Sequence, residues 1–113
     1  MIVRHEKEAR PADLSGETDV EGVVLLPLLT EKDGARHFSM RLFRLSPGGH
    51  TPFHAHAWEH EVFVIRGDGE VVGENQSHPL EPGCAVYVPE GEKHRFQAGR
   101  SGMDFLCCIP LVN

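Results

Sequence analysis

The sequence predicts an all-β, single-domain protein, a sandwich or closed barrel, on three observations. From Val23 onward glycine and proline recur roughly every eight to twelve residues, which leaves no room for a helix of ordinary length. The stretches between them are short and rich in Val, Ile, Phe and Leu, the residues that suit a pleated, half-buried surface. The chain has 113 residues, 40% of them hydrophobic, which matches one domain able to hold a core without staples.

Taken in order, the first 22 residues, rich in Glu, Arg and Asp with Pro11 and Gly16, follow neither a helical nor a strand period. They are expected to form an N-terminal arm or edge strand, with the barrel domain over 23–113. Strands are expected at Val23–Leu29, His37–Leu45, Glu61–Arg66, Glu70–Val72, Ala85–Val88, His94–Gln97 and Asp104–Ile109. The breaks between them fall at Gly34, Pro47-Gly48-Gly49, Gly67-Asp68-Gly69, Pro82-Gly83, Pro89 with Gly91, and Gly99 to Gly102. There is no internal repeat and no linker.

Charge and cysteine content narrow the function classes. Asp and Glu number 17 against 11 Lys and Arg, a net charge of -6, with no basic cluster to offset it, so nucleic acid is not an expected partner. The longest apolar run, Val23 to Leu29, contains Pro27 and is far below the ~18 residues that cross a bilayer, and the acidic start does not read as a signal peptide. A cytoplasmic protein without a membrane partner is expected. Cys84, Cys107 and Cys108 form no Cys-x-x-Cys and read as small buried residues of a reducing compartment.

Histidine carries the chemical information. Of eight, three follow His-x-His-x3-His at His54, His56 and His60. Successive strand residues point to opposite faces, so these even positions project to one side if the segment is extended, with Glu59 and Glu61 on the other. Neutral imidazoles converging in this way suit a divalent transition metal; a histidine-rich surface loop is the plainer alternative. Parity places Asp104 toward solvent and Phe105, Cys107 and Ile109 inward, and puts Phe96 on the side of His94.

The longer patterns Gly48-x5-His54-x-His56-x3-His60-x6-Gly67 and Gly83-x5-Pro89-x-Gly91-x2-His94 resemble the two motifs of the cupin superfamily. The resemblance spans about Pro47 to Gln97. It implies a double-stranded β-helix, or jelly roll, and a metal held by His54, His56, His60 and His94. His60 stands where the family usually has glutamate; Glu61 is the other alignment, but only His60 shares parity with His54 and His56 and lies seven residues before Gly67. Ala98 replaces the family's final Asn. The stretch His-Ala-Trp-Glu-His-Glu is similar to small single-domain cupins with four-histidine sites, some of which hold manganese.

Four neutral ligands leave the full dication charge on the metal, which strengthens it as a Lewis acid and disfavours higher oxidation states. Imidazole suits Zn, Cu, Fe and Ni alike, so manganese rests on the resemblance. A six-coordinate ion keeps two positions for a ligand, whereas four-coordinate zinc is closed and structural. The resemblance implies a small metalloenzyme acting on a small molecule, oxygenase chemistry first and isomerase or lyase chemistry next. The alternative is a non-catalytic binding or sensor module. Metal is expected to leave on acidification through about pH 6, where ordinary imidazoles take up protons.

Phe96, Phe105, Cys107 and Ile109 are expected to line the pocket or to serve as plain barrel core. Arg41 either enters the barrel to hold an anionic group or lies solvated on its strand. Trp58 walls the site or packs in the sheet, and His50 reaches the cavity rim or stays in its turn. An exposed sheet edge, with the arm available for pairing, points to a homodimer.

Overall fold

The apolar runs form six antiparallel strands: β1 (Glu21–Leu29), β2 (Phe38–His50), β3 (His60–Gly73), β4 (Ser77–Leu80), β5 (Ala85–Val88) and β6 (His94–Pro110). The structure, a computed structural model, describes residues 1–111; positions 112 and 113 of the expected barrel lie outside them. Two short 3-10 turns, Glu6–Glu8 and Glu31–Asp33, complete the elements. The strand order is β1-β2-β6-β3-β4, with β5 also paired to β3.

Several expected breaks prove to be bends within strands. β2, β3 and β6 run for 13, 14 and 17 residues, well beyond the usual length of about five or six. β2 continues through Pro47-Gly48-Gly49, β3 through Gly67-Asp68-Gly69 and β6 through Gly99 to Gly102. The two runs expected at Glu61–Arg66 and Glu70–Val72 are therefore one strand, and those at His94–Gln97 and Asp104–Ile109 are another. Bulges at these points roll the sheet: Glu61 to Gly67 pairs with Met103 to Cys108, and Gly69 to Gly73 with His94 to Ala98. Glycine is required here. Gly67 has φ +79, and a Cβ on it would collide with the Gly102 carbonyl. The unexpected β4 is a short edge strand bonded only to β3, a position that tolerates Pro79.

Inward-facing residues of β2, β3, β5 and β6 make one core around Leu45, Val62, Val64, Val88, Met103 and Phe105. The Phe105 ring stacks on Phe43 at 5.0 Å and lies 4.7 Å from Phe96. The arm is engaged by its own barrel. Ala12 N–H donates to the Leu25 carbonyl, Arg4 Nη1 donates to Leu28, and Glu6 pairs with Arg44 and Arg66. Asp19, at φ +55, accepts from Phe53 N–H and pairs with Arg95.

Candidate metal centre

The two histidine motifs meet through backbone bonds before any side chain is considered. His54 and His94 exchange N–H···O bonds of 3.1 Å each, and Gly91 N–H donates to the His56 carbonyl at 2.8 Å. His60 opens β3 and His94 opens β6, so both are fixed by the sheet. Residues 51–59 do not form a regular strand; His54 makes an isolated bridge and the rest bends. The extended segment on which the parity of His54 and His56 was expected to depend is thus absent, and the turn places their rings instead.

Ligand atoms of His56, His60 and His94 all lie within 4.8 Å of one another. His54 stands beside this group, its ring edge-on to His56 at 4.1 Å between centroids but 6.3 Å from His94. Three of the four expected ligands therefore converge, with the fourth adjacent.

Hydrogen bonding fixes which nitrogens face the centre. His94 Nδ1 lies 2.8 Å from the Glu92 carbonyl, which can only accept, so Nδ1 carries the proton and Nε2 keeps its lone pair. His60 Nδ1 lies 3.3 Å from Cys107 Sγ, while its buried Nε2 has no hydrogen-bond partner. A buried imidazole nitrogen without a partner is costly unless something fills the position, and a divalent cation fits a lone pair in that setting. The residues present fit a metal on this ground.

Burial lowers the proton affinity of the His54, His56 and His60 rings. His56 falls to about 4, mainly through burial and then through His54, His94 and Arg41. His60 falls to about 3, again through burial first and then through His56, His94, Arg41 and His54. His54 is lowered by burial and by His94, with Glu17 and Asp19 opposing. Neutral imidazoles are the form that ligates.

A cavity of about 150 Å³ opens over the three rings. Arg41, Phe96, Phe105 and Cys107 line it, as do His54, His56, His60 and His94. Ile109, expected in the same wall, lies elsewhere: β6 carries it past the cavity to a second depression shared with Trp58 and Arg36. Trp58 stacks on the His56 ring at 4.8 Å and 15° from that side. His50 bonds the Thr51 carbonyl and does not line the cavity. Of the cysteines, Cys107 is buried and touches His60, so it is more than core filler, while Cys84 and Cys108 are partly exposed thiols.

The sequence reading missed the arm residues Leu14, Glu17 and Val20, which close one side of the cavity, and also Val23, Leu25, Phe43 and Pro52. Phe43 was within reach of parity, since it follows Arg41 by two on β2. No pattern in the arm announced its three.

This double-stranded roll with histidines from both motifs at one end places the chain in the cupin family, and residues 41–108 match the Cupin domain. The chain is similar to L-ectoine synthase of Hahella chejuensis, 31% identical over 100 residues that cover 87% of this chain and 74% of that protein. It also resembles 1-methylthio-D-xylulose 5-phosphate methylsulfurylase of Rhodospirillum rubrum, 28% identical over 71 residues, which is 62% of this chain but only 46% of that enzyme. Among solved structures, the polyketide cyclase RemF from Streptomyces resistomycificus superposes with a TM-score of 0.88 at 31% identity, covering 97% of this chain and 79% of the cyclase. Among the described residues no helix is long and apolar enough to cross a membrane.

Proposed function

We propose that the chain is a small metalloenzyme whose divalent ion is held by His56, His60 and His94, with His54 as the fourth imidazole, and whose substrate is an oxygen-bearing small molecule seated in the cavity above them. The observation that carries this reading is the convergence of three ring nitrogens within 4.8 Å, with the Nδ1 atoms of His60 and His94 already in hydrogen-bond contact and the buried His60 Nε2 left without a partner. When bound, the ion supplies Lewis-acid polarisation of a substrate oxygen. The chain's own residues do the rest. Phe43, Phe96 and Phe105 give the cavity an apolar wall, and Leu14 and Val20 close one side of it from the arm.

Non-redox chemistry, such as ring closure, isomerisation or elimination, is favoured over the oxygenase chemistry first expected. Neutral imidazoles stabilise higher oxidation states poorly, and the relatives above are named as a synthase, a sulfurylase and a cyclase rather than as oxygenases. Manganese remains the metal suggested by the motif resemblance, ahead of Fe, Zn, Ni and Cu.

The test is metal analysis of untagged protein beside His60→Ala. Wild type should retain about one equivalent of a divalent ion and the variant little. A wild-type protein that holds none after dialysis against micromolar metal removes the reading. Oxygen uptake by the loaded protein with a turned-over substrate would restore the oxygenase class. Tight ligand binding with no turnover would favour the sensor module.

A further inference from the structure

Arg41 stands apart from the other arginines of the chain. Arg4, Arg44, Arg66 and Arg95 each pair with a carboxylate, and Arg10, Arg36 and Arg100 are exposed to water. Arg41 lines the cavity, has no carboxylate partner among the described residues, and keeps its Nε–H buried without an acceptor. Its Nη2 donates to Cys107 Sγ at 3.2 Å, and the guanidinium lies 5.0 Å from the centre of the Phe43 ring. These contacts hold the side chain in place without neutralising it. Glu17 is the one carboxylate among the lining residues, and its field acts on His54 rather than as a partner for Arg41.

Cys107 Sγ touches both Arg41 and His60, so the guanidinium is one atom removed from the centre's ring. A dication on neutral imidazoles would add to the charge of Arg41 in the same cavity. Buried charge of one sign without a counter-ion is unfavourable, and a ligand that brings the opposite charge removes the penalty.

We infer that the cavity is built for a carboxylate on an unsaturated or aromatic body, with one oxygen turned to the histidine centre and the other accepting from the Arg41 guanidinium. This rests on the metal reading above. The rest of the cavity selects the body. Phe43, Phe96 and Phe105 present apolar ring surface, and about 150 Å³ is well below the ~300–1,000 Å³ of sites for drug-sized ligands, so the body is close to a single ring. A phosphate, with more oxygens and more charge to satisfy, fits less well: among the described residues Arg41 is the only basic side chain besides the histidines in the wall.

Benzoate and its neutral isostere benzamide are the probes, titrated by calorimetry into protein loaded with Mn²⁺, with solvent-proton relaxation recorded in parallel. Benzoate should bind and lower the relaxivity by displacing water, while benzamide binds at least about tenfold more weakly. Arg41→Met should retain the metal and its melting cooperativity but lose benzoate affinity about 10- to 100-fold, the usual cost of one charged hydrogen-bond partner. Arg41→Lys, which keeps the charge without the fork, should fall between. Equal affinity for the two probes, unchanged benzoate binding in Arg41→Met, or no benzoate binding by loaded wild type at millimolar concentration would each overturn the inference. Failure to load metal is read separately, by elemental analysis, and counts against the metal centre instead.

Discussion

At the scale of single residues, the centre depends on which imidazole nitrogen carries a proton. The Glu92 carbonyl, which can only accept, decides this for His94, and Cys107 is the group that Nδ1 of His60 meets. Cys107→Ala should therefore weaken metal binding about 10- to 100-fold, as loss of an outer-shell partner usually does, while Cys107→Ser, which keeps a polar atom in place, should lose less. Competition titration with a chromophoric chelator would measure both, and equal affinity in wild type and alanine variant would show that the contact is incidental. Acid has a related effect. His56 and His60 titrate near 4 and 3 when folded but near 6.5 when unfolded, so between those values the unfolded chain binds more protons. Metal-free protein should keep its full stability above about pH 6.5 and lose it progressively as pH falls toward 4. Denaturant melts across that range would check the slope, and a flat profile would contradict it. For the same reason metal release should come below the pH of 6 that ordinary imidazoles suggest. The histidines were legible as letters at a spacing. Their tautomers were not, because Cys107 lies 47 residues from His60 and meets it only across the β3–β6 pairing.

At the scale of elements, glycine marked the right places for an unexpected reason. Gly67 and Gly102 were read as ends of strands, yet they are the points where β3 and β6 bend past each other with no room for a side chain. A local reading cannot separate a turn from a bend, since both need the same backbone freedom and differ only in which strand lies alongside. Gly67→Ala should destabilise the fold by about 3 kcal/mol or more, by combining positive φ with a backbone clash. A small shift in the chemical melt would contradict this. The arm follows a different logic. Its contacts are polar and specific, Asp19 to Arg95 and to Phe53 N–H, and such contacts leave no period in a sequence. Asp19→Ala should speed protease cleavage within residues 1–20 and raise the off-rate of ligand from the cavity, with little change in barrel melting. Unchanged cleavage would mean that Leu14 and Val20 hold the arm without it.

At the scale of the whole molecule, the all-β roll was readable because the spacing of turn residues and the two histidine motifs agree on one architecture. Assembly is less constrained. The arm packs on its own barrel and so does not supply the homodimer contact expected from the sequence; the outer face where exposed Phe63 and Tyr87, at 48% and 57%, lie beside Leu106 and Cys108 is the apolar surface on which we propose that a dimer would form. Sedimentation at micromolar concentration should show about twice the monomer mass, and a monomer there would remove the proposal. The proposed metal, bound only by the folded state, would act on the molecule as a whole. A metal concentration about 100 times the dissociation constant adds about 2.7 kcal/mol, which for a domain of this size raises the melting temperature by roughly 10–20 °C.

The most direct measurement is pulsed electron paramagnetic resonance on Mn²⁺-loaded protein labelled with ¹⁵N-histidine. Nitrogen couplings from at least three imidazoles should appear, and one should vanish in each of His56→Gln, His60→Gln and His94→Gln. A bound ion coupled to no more than one histidine nitrogen, or couplings indifferent to these three substitutions, would contradict the centre described above.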